Sequence, residues 1–275
     1  MQTTDASFAH QSSGSAYLLD NAGKEAPARF DALSGIYDQH TIRHLVNRGV
    51  TEGWHCLEVG GGGGSISLWL ADRVGPTGHV IATDIDPRFL EPLIAKNLEV
   101  QRHNIATDSL PQSAFDLIHA RLVLIHVPER EQVLARLVAA LKPGGWLIEE
   151  EIDSASLLPD PSINCDEVLL KTQIAAMRLV EDHGVRRRWG RLLFGRLRAL
   201  GLMNVDAEAT LSMWHSGSIG ASIVRANFEQ LRDRLIEGGY ITVQEFADDI
   251  ARLNEPDFMA PSPIMWTAWG QRPPA

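Results

Sequence analysis

Five consecutive glycines at positions 60–64 constrain this chain more than any other feature of its sequence. A short apolar segment, His55–Val59, precedes them and predicts a buried strand, and Ser65 after them opens an apolar helix. Glycines adopt positive φ readily and let the backbone approach a ligand, while the first turn of the helix directs free N–H groups into the same space. The pattern predicts a nucleoside-binding turn, with a purely structural turn as the competing interpretation.

A second predicted strand follows this helix and ends on carboxylates. The Gly-Pro-Thr-Gly segment 75–78 is a turn, and residues 79–83 form a strand that runs into Asp84 and Asp86. A strand, a helix and a strand in this order imply a right-handed crossover and a parallel sheet, with ligands beyond the C-terminal strand ends. There Asp84 can accept hydrogen bonds from both ribose hydroxyls of an adenosine, although capping a helix before Pro87 is its alternative role.

A dinucleotide cofactor fits the glycine turn less well than a single nucleoside. Glu58 and the turn satisfy acidic-x-Gly-x-Gly-x-Gly, whereas a dinucleotide site needs G-x-G-x-x-G/A, with a third small residue between helix and strand. That third position is Ser65 if the pattern starts at Gly60 and Ile66 if it starts at Gly61. A nicotinamide oxidoreductase is therefore the weaker hypothesis.

The same alternation of strands and helices continues to the end of the chain. One or two amphipathic helices are expected between residues 26 and 50. Further strands are predicted near 99–103, 115–120, 146–150, 205–209 and 264–270. Helices are predicted near 129–141, 164–183, 188–200, 218–237 and 242–253.

Composition and charge narrow the class of partner. A formal charge of −10 disfavours a nucleic-acid partner. One arginine cluster is a solvated helix surface or a site for an anionic substrate: Arg186, Arg187, Arg188, Arg191, Arg196 and Arg198. No apolar window is long enough to span a bilayer, and the N-terminus lacks the order of a secretory signal. With only Cys56 and Cys165 present, we expect a cytoplasmic protein without a membrane partner.

Four sequence blocks in order resemble the class I S-adenosylmethionine-dependent methyltransferases, specifically the small-molecule kind with a ubiquinone/menaquinone-biosynthesis-like core. The blocks are LEVGGGGG (57–64), ATDID (82–86), LPQSAFDLIHARLVLIHVPER (110–130) and LKPGGWLIEEE (141–151). The similarity covers about residues 25–152, and the order of the blocks is more specific than any one of them. It implies an α/β fold of the Rossmann-like, doubly wound kind, with a seven-stranded, mostly parallel sheet, an antiparallel last strand and an α-helical cap.

The resemblance also implies a division of the chain and a set of cofactor contacts. Residues 1–50 would form a helical lid, 51–152 the cofactor-binding core, and 153–275 the rest of the sheet with the substrate cap. Glu58 and the glycines would hold the methionine end of S-adenosylmethionine, and Asp84 the ribose. The predicted cofactor-binding residues are Glu58, Gly60, Gly61, Gly62, Gly64, Asp84, Ile85, Asn104, Ile105, Ala120, Arg121, Tyr17 and Arg29.

Two of these assignments leave alternatives open. Family members often have Asp where this chain has Asn104, so either the Asn104 amide oxygen or Asp108 would hold the adenine amino group. In the lid, Tyr17, Arg29 and Phe30 are candidates for closing the pocket, and Arg29 for pairing with the methionine carboxylate. Ordinary helix packing is the competing interpretation of all three.

The catalytic and substrate-binding residues are less defined. The methyl group is already electrophilic, so positioning does most of the work, and His126 or His215 would be the base if the nucleophile must lose a proton. An apolar pocket wall or simply core is predicted for Trp214, Met213, Phe228, Met259 and Trp266. No metal is expected, because alternation directs Glu150 away from Glu149 and Glu151.

These observations predict transfer of a methyl group to an O, N or C nucleophile of a small-molecule, natural-product-like acceptor, with S-adenosylhomocysteine as product. A protein that keeps the cofactor but catalyses a cyclisation, or has a non-methylating role, is the alternative. The sequence does not fix the oligomeric state, and a homodimer stays open.

Overall fold

A computed structural model describes residue 18, residues 23–156 and residues 170–275 of the chain. The strands are β1 (His55–Val59), β2 (His79–Asp84), β3 (Leu98–Arg102), β4 (Phe115–Arg121), β5 (Leu141–Asp153), β6 (Met203–Thr210), β7 (Met213–His215), β8 (Met259–Pro261) and β9 (Ile264–Gln271). The helices are α1 (Ala26–Asn47), α2 (Ser65–Val74), α3 (Arg130–Ala140), α4 (Lys171–Asp182), α5 (Trp189–Ala199), α6 (Ile219–Glu237) and α7 (Val243–Arg252).

Seven strands form one sheet in the order β3-β2-β1-β4-β5-β9-β6. Strands β1 to β5 pair in parallel, and β9 lies antiparallel between β5 and β6. The strand order reverses between β1 and β4, so a crevice is expected beyond the C-terminal ends of these two strands. The predicted fold, including its antiparallel last strand, is confirmed.

Alternation along the strands divides the core into two layers. Leu57 and Ile118 join one apolar cluster with α3 and α5, whereas Cys56 and Leu117 join another with α1 and α2. Each face of the sheet is therefore covered by helices, as a parallel sheet requires. The even-numbered polar positions Glu58 and Glu150 lie on the α1/α2 face.

The remaining helices form a cap with an apolar core of its own. Helices α4, α6 and α7 supply this third cluster, with Phe228 of α6 and Phe246 of α7 among its buried members. α1 packs on α6, which joins the cap to the sheet. Helix α7 begins with a capping box in which Thr242 and Glu245 satisfy each other's backbone N–H groups.

The structure adds detail that the sequence patterns lack. One helix fills residues 26–47, where one or two were predicted. Residues 142–145 are an irregular insertion in β5, because Phe115 pairs with Leu141 and Leu117 already pairs with Trp146. The short two-stranded sheet of β7 and β8, which pair across the intervening helices α6 and α7, was not predicted. Among the described helices, none combines the length and apolarity needed to cross a membrane.

Candidate functional site

A cavity of about 530 Å³ opens beyond the C-terminal ends of β1, β2 and β4. Three parts of the chain line it: helix α1, the turns that follow these strands, and the cap with the chain around it. The predicted site residues that line it are Arg29, Glu58, Gly60, Gly61, Gly62, Asp84, Ile85, Asn104, Ile105, Arg121 and His126. Tyr17 lies outside the described residues.

The glycine turn forms one wall of the cavity, and its surroundings leave no room for side chains at these positions. Gly60 and Gly62 have φ of +66° and +52°. A Cβ on Gly60 would lie 2.4 Å from Val123 Cγ2, and one on Gly62 would lie 2.7 Å from Phe30 Cε1. Gly64, also predicted to bind the cofactor, does not line the cavity: it precedes α2 with φ +82°, and a Cβ there would meet Leu93 at 2.1 Å.

Asp84 connects this turn to the end of β2. Its Oδ2 accepts a hydrogen bond from Gly62 N at 3.1 Å, and its Oδ1 accepts one from Asp86 N at 2.9 Å. Burial raises the pKa of Asp84 above its usual value, although the two backbone N–H groups oppose the shift. Each carboxylate oxygen keeps a further lone pair for a ligand.

The turn after β3 contains both residues that were predicted to hold the adenine amino group, Asn104 and Asp108, and the structure places them differently. Asn104 lines the cavity, and its Oδ1 accepts a hydrogen bond from Ala106 N at 3.0 Å. Asp108 is exposed, does not line the cavity, and accepts a hydrogen bond from Asn104 N at 2.8 Å. Of the two side chains, only Asn104 faces the cavity, and Asp108 stabilises the turn that holds it.

Glu58 is fixed from behind by a buried histidine. His119 has no exposed surface, and its Nδ1 donates to Glu58 Oε2 at 2.7 Å while its Nε2 donates to Glu150 Oε2 at 3.2 Å. Burial lowers the pKa of His119, but the carboxylates of Glu58 and Glu150 outweigh it and raise the pKa well above its usual value. A protonated His119 therefore lies between two carboxylates.

The same buried polar chain extends to helix α1. Glu150 accepts hydrogen bonds from Thr41 Oγ1 and, at 2.7 Å, from Thr267 Oγ1. Arg121 then donates to Thr41 Oγ1 at 2.9 Å and to Asp38 Oδ1 at 2.8 Å. Polar contacts thus connect α1 to the side chain of Glu58 at the cavity.

Strand β4 contributes less to the cavity than predicted. Ala120 is fully buried in the α3/α5 cluster, so it cannot contact a ligand in the cavity, and His119 is occupied by carboxylates. Arg121 does line the cavity. Neighbouring positions of a strand face opposite sides of the sheet, so Ala120 and Arg121 could not both present their side chains to the cavity.

Two residues of α1 cover the glycine turn. The Phe30 ring lies against Gly62 and Gly63 and meets the Phe89 ring edge-on, with the centroids 5.3 Å apart. Arg29 is buried, lines the cavity, and has its guanidinium carbon 4.6 Å from the Phe30 ring centroid. Both side chains therefore lie where the resemblance places a lid.

The two candidate bases have different positions. His126 lines the cavity, and burial, with the charges of Arg29 and Arg130, lowers its pKa to about 4. Its imidazole is therefore neutral near pH 7. His215 is exposed on β7, with Nδ1 2.9 Å from the Ser216 carbonyl oxygen, and it does not line the cavity. The structure does not bring His215 to this site.

The carboxylates at the end of β5 have partners within the protein that stabilise the fold. Glu151 Oε1 accepts hydrogen bonds from Val123 N and Ile125 N, and so holds the turn that carries His126. Asp153 pairs with Arg191. Across the described ranges, no three His, Cys, Asp or Glu side chains converge as a metal site would require.

The cap supplies a wall that sequence patterns identified only in part. Of the five predicted wall residues, Trp214 and Phe228 line the cavity, whereas Met213 and Met259 are exposed and Trp266 lies elsewhere. From Ile152 onward, the lining residues that were not predicted are Ile152, Ser154, Gln173, Ala176, Met177, Val180, Val185, Ile223, Val224, Asn227, Leu231 and Pro263. Their helical spacing also suits ordinary core, and no sequence signal separates the two.

Comparison with known proteins agrees with this geometry. A family model described as a methyltransferase domain matches residues 57–147. Methyltransferase str2 of Strobilurus tenacellus is 37% identical over 129 residues, which cover 46% of this chain and 46% of the relative. A ubiquinone/menaquinone biosynthesis C-methyltransferase UbiE of Pseudoalteromonas translucida is 28% identical over 134 residues, covering 44% and 53%. The chain spans about half the length of these curated relatives.

Solved structures share the fold at low identity. Phosphoethanolamine N-methyltransferase 2 of Haemonchus contortus, in complex with phosphomonomethylethanolamine and S-adenosylhomocysteine, has a TM-score of 0.58 and 13% identity, covering 94% of this chain and 60% of that one. The [4+2]-cyclase SpnF has a TM-score of 0.53 and 18% identity, covering 86% and 82%. With the family match, they confirm the predicted resemblance to class I S-adenosylmethionine-dependent methyltransferases.

Proposed function

We propose that this chain, whose core has the class I methyltransferase fold, transfers a methyl group from S-adenosylmethionine to an O, N or C nucleophile of a small, natural-product-like molecule. One observation carries the proposal: the Asp84 carboxylate and a turn without side chains line the same cavity. A purely structural glycine turn would not need an open cavity beside it, nor a half-buried carboxylate facing that cavity.

The residues at this wall fit the adenosyl part of the cofactor. The turn at 60–63 brings backbone without side chains to the cavity wall, and Asp84 can accept hydrogen bonds from ribose hydroxyls. Asn104 and Ile105 border the same wall and are proposed to flank the adenine ring. Asn104 Oδ1 accepts one hydrogen bond, from Ala106 N, and keeps a second lone pair for the adenine amino group, while its amide NH₂ can donate to a ring nitrogen.

Charged residues near the turn fit the methionine part. Glu58 lines the cavity with a carboxylate that His119 orients, and we assign it to the cofactor's ammonium group. Arg29 also lines the cavity and is assigned to the cofactor's carboxylate. The methionine end would thus be held by one group of each sign.

When bound, S-adenosylmethionine supplies a methyl group on a positively charged sulfur. Methyl transfer breaks the S–CH₃ bond with its electron pair passing to sulfur, while a lone pair of the nucleophile forms the new bond. The protein contributes by holding the nucleophile in line and excluding water, for which α1 and the cap close the cavity walls.

His126 is the residue that we propose to receive the proton of a hydroxyl nucleophile. The low pKa of about 4 makes His126 a weak base, but it keeps the imidazole unprotonated at neutral pH. An O–H group becomes strongly acidic as its oxygen is methylated, so a weak base at the right place is sufficient. The proton then passes from the imidazole to water.

Binding of S-adenosylhomocysteine to the purified protein, measured by isothermal titration, tests the cofactor assignment. We then expect one or more members of a metabolite panel to gain one CH₂ unit of mass only when S-adenosylmethionine is present. Failure to bind either form of the cofactor would refute the proposal. Converted substrate beside intact cofactor would instead favour cyclisation.

The cellular setting is part of the same proposal. The charge of −10 and the two cysteines support a small-molecule acceptor and a reducing compartment, the cytoplasm. A homodimer stays a prediction that size-exclusion chromatography with light scattering would test.

A further inference from the structure

The cavity wall contributed by the chain after β4 is free of charge among the described residues. From Ile152 onward the lining side chains are apolar or neutral, with Met177 of α4 and Phe228 of α6 as examples. All of the charged lining residues, such as Glu58, Asp84 and Arg121, come from the earlier part of the chain. We call the lining residues up to Arg121, which are proposed to hold the cofactor, the charged side of the cavity, and those from Leu122 onward the neutral side.

A charged substituent would be unfavourable on the neutral side. It would lose its hydration and meet no opposite charge on that wall, and an unpaired buried charge is strongly destabilised. Of the two cations that lower the pKa of His126, Arg29 has the larger effect. The proposed function assigns Arg29 to the methionine carboxylate of the cofactor. An acceptor with its own carboxylate or phosphate would have to compete for it.

The neutral side nevertheless offers polar atoms for a hydrogen-bond donor. Asn227 lines the cavity from α6, and its Oδ1 is buried and accepts no hydrogen bond within the described part of the chain. A buried acceptor without a partner is destabilising, and a ligand O–H or N–H would satisfy it. His126 presents a second neutral polar group to the same cavity.

We infer that the acceptor is an uncharged, largely apolar molecule that carries at least one O–H or N–H donor, which Asn227 binds. This inference rests on the proposed function, since it describes the second substrate of the same site. Its chemistry is that of a phenol or a similar neutral hydroxyl compound, and it differs from that of a phosphorylated or quaternary amine.

A matched set of ligands tests the inference on protein already saturated with S-adenosylhomocysteine. The probes are 2-naphthol, 2-methoxynaphthalene, 2-naphthoate and 2-naphthyltrimethylammonium, with the corresponding anthracene derivatives as a larger set. We expect each neutral hydroxyl compound to bind about tenfold more tightly than its charged and O-methylated counterparts. Tighter binding of the carboxylate or of the cation would overturn the inference.

Variants assign the effect to Asn227. Asn227→Leu keeps the number and branching of the side-chain heavy atoms and removes the acceptor, so the preference for the hydroxyl over the methoxy compound should disappear. Glu229→Gln, exposed on the same helix, should keep that preference. Asn227→Ala removes the acceptor without adding bulk and is the second variant. A preference that survives in either Asn227 variant that still binds S-adenosylhomocysteine would contradict the assignment.

Titration of S-adenosylhomocysteine separates the two proposals. If it binds and no neutral probe does, the acceptor inference is wrong and the proposed function stands. If it does not bind, the proposed function fails, and the acceptor inference falls with it.

Discussion

At the scale of single residues, Asp84 is the test of the cofactor site. Asp84→Asn should weaken S-adenosylhomocysteine binding about 10- to 100-fold, since a hydrogen bond to a charged group contributes roughly 1.5–3 kcal/mol. Asp86→Asn is the matched control, because Asp86 pairs with Arg88 and does not line the cavity. Isothermal titration of both variants measures the difference. Equal S-adenosylhomocysteine affinities of the two variants would contradict the assignment of Asp84 to the ribose.

His126 makes a prediction about rate and pH. His126→Gln should lower kcat about 100-fold, because general-base catalysis contributes at least that much, and should leave S-adenosylhomocysteine affinity within about twofold. The base acts only when unprotonated, and its pKa is about 4, so His126-dependent activity is lost only as pH falls toward that value. Steady-state rates across pH check this. A loss of activity centred near the ordinary histidine pKa of 6.5 would contradict the neutral imidazole.

At the scale of elements, a side chain in the glycine turn should reduce cofactor binding in addition to the stability that any alanine at positive φ costs. Gly62→Ala places a Cβ at positive φ beside Phe30, whereas Gly49→Ala, just after α1, has φ +80° and nothing within 4 Å. Both should lose about 1–2 kcal/mol of unfolding free energy. Only Gly62→Ala should also lose S-adenosylhomocysteine affinity, by about tenfold or more. Urea denaturation and titration separate the two effects, and unchanged affinity in Gly62→Ala would contradict a binding turn.

The buried chain from α1 to Glu58 predicts a coupled loss. His119→Gln removes the cation between Glu58 and Glu150, so about 3–5 kcal/mol of unfolding free energy should disappear. S-adenosylhomocysteine affinity should fall as well, because Glu58 loses the group that orients it. His55→Gln, at the exposed start of β1, is the control for both measurements. A destabilised variant with unchanged affinity would limit His119 to a structural role.

Sequence patterns predicted the elements around the cofactor well and the cap poorly. The glycine turn and the strand ending at Asp84 are local, so spacing and turn residues identify them. Gly64 and Ala120 were assigned to the cofactor although they pack against Leu93 and the α3/α5 layer. Asn227 could not be predicted, because its place depends on how α6 packs on α1, which helical periodicity does not encode.

At the scale of the whole molecule, the buried carboxyls of β5 make stability depend on pH. Burial, with the charge of Glu151, raises the pKa of Glu149 well above its usual 4.5, and burial raises that of Glu151 to about 8. The unfolded chain ionises both groups first as pH rises above about 4.5. Stability from the protonated forms is therefore present below that pH and is lost as pH rises toward the folded-state pKa values.

Glu149→Gln should flatten this dependence, because an amide cannot ionise. Between pH 5 and pH 8 we expect the variant to lose less unfolding free energy than the wild type, by up to about 1.4 kcal/mol per pH unit. Urea denaturation at several pH values measures how the unfolding free energy changes with pH. Burying the amide shifts the unfolding free energy equally at every pH, so it does not alter this slope. Glu91→Gln, an exposed control, should follow the wild type. Parallel curves for Glu149→Gln and the wild type would show that Glu149 is already ionised.

The charged and the neutral side of the cavity come from consecutive stretches of the chain: the last charged lining residue is Arg121 at the end of β4, and the cap's contribution follows β5. Mutation or recombination downstream of that strand would remodel the acceptor's half while leaving the donor's half intact. Descendants of such a gene could diversify their products without reinventing how they activate a methyl group. Chimaeras joined within β5 are accordingly the natural starting point for engineering this scaffold toward new acceptors.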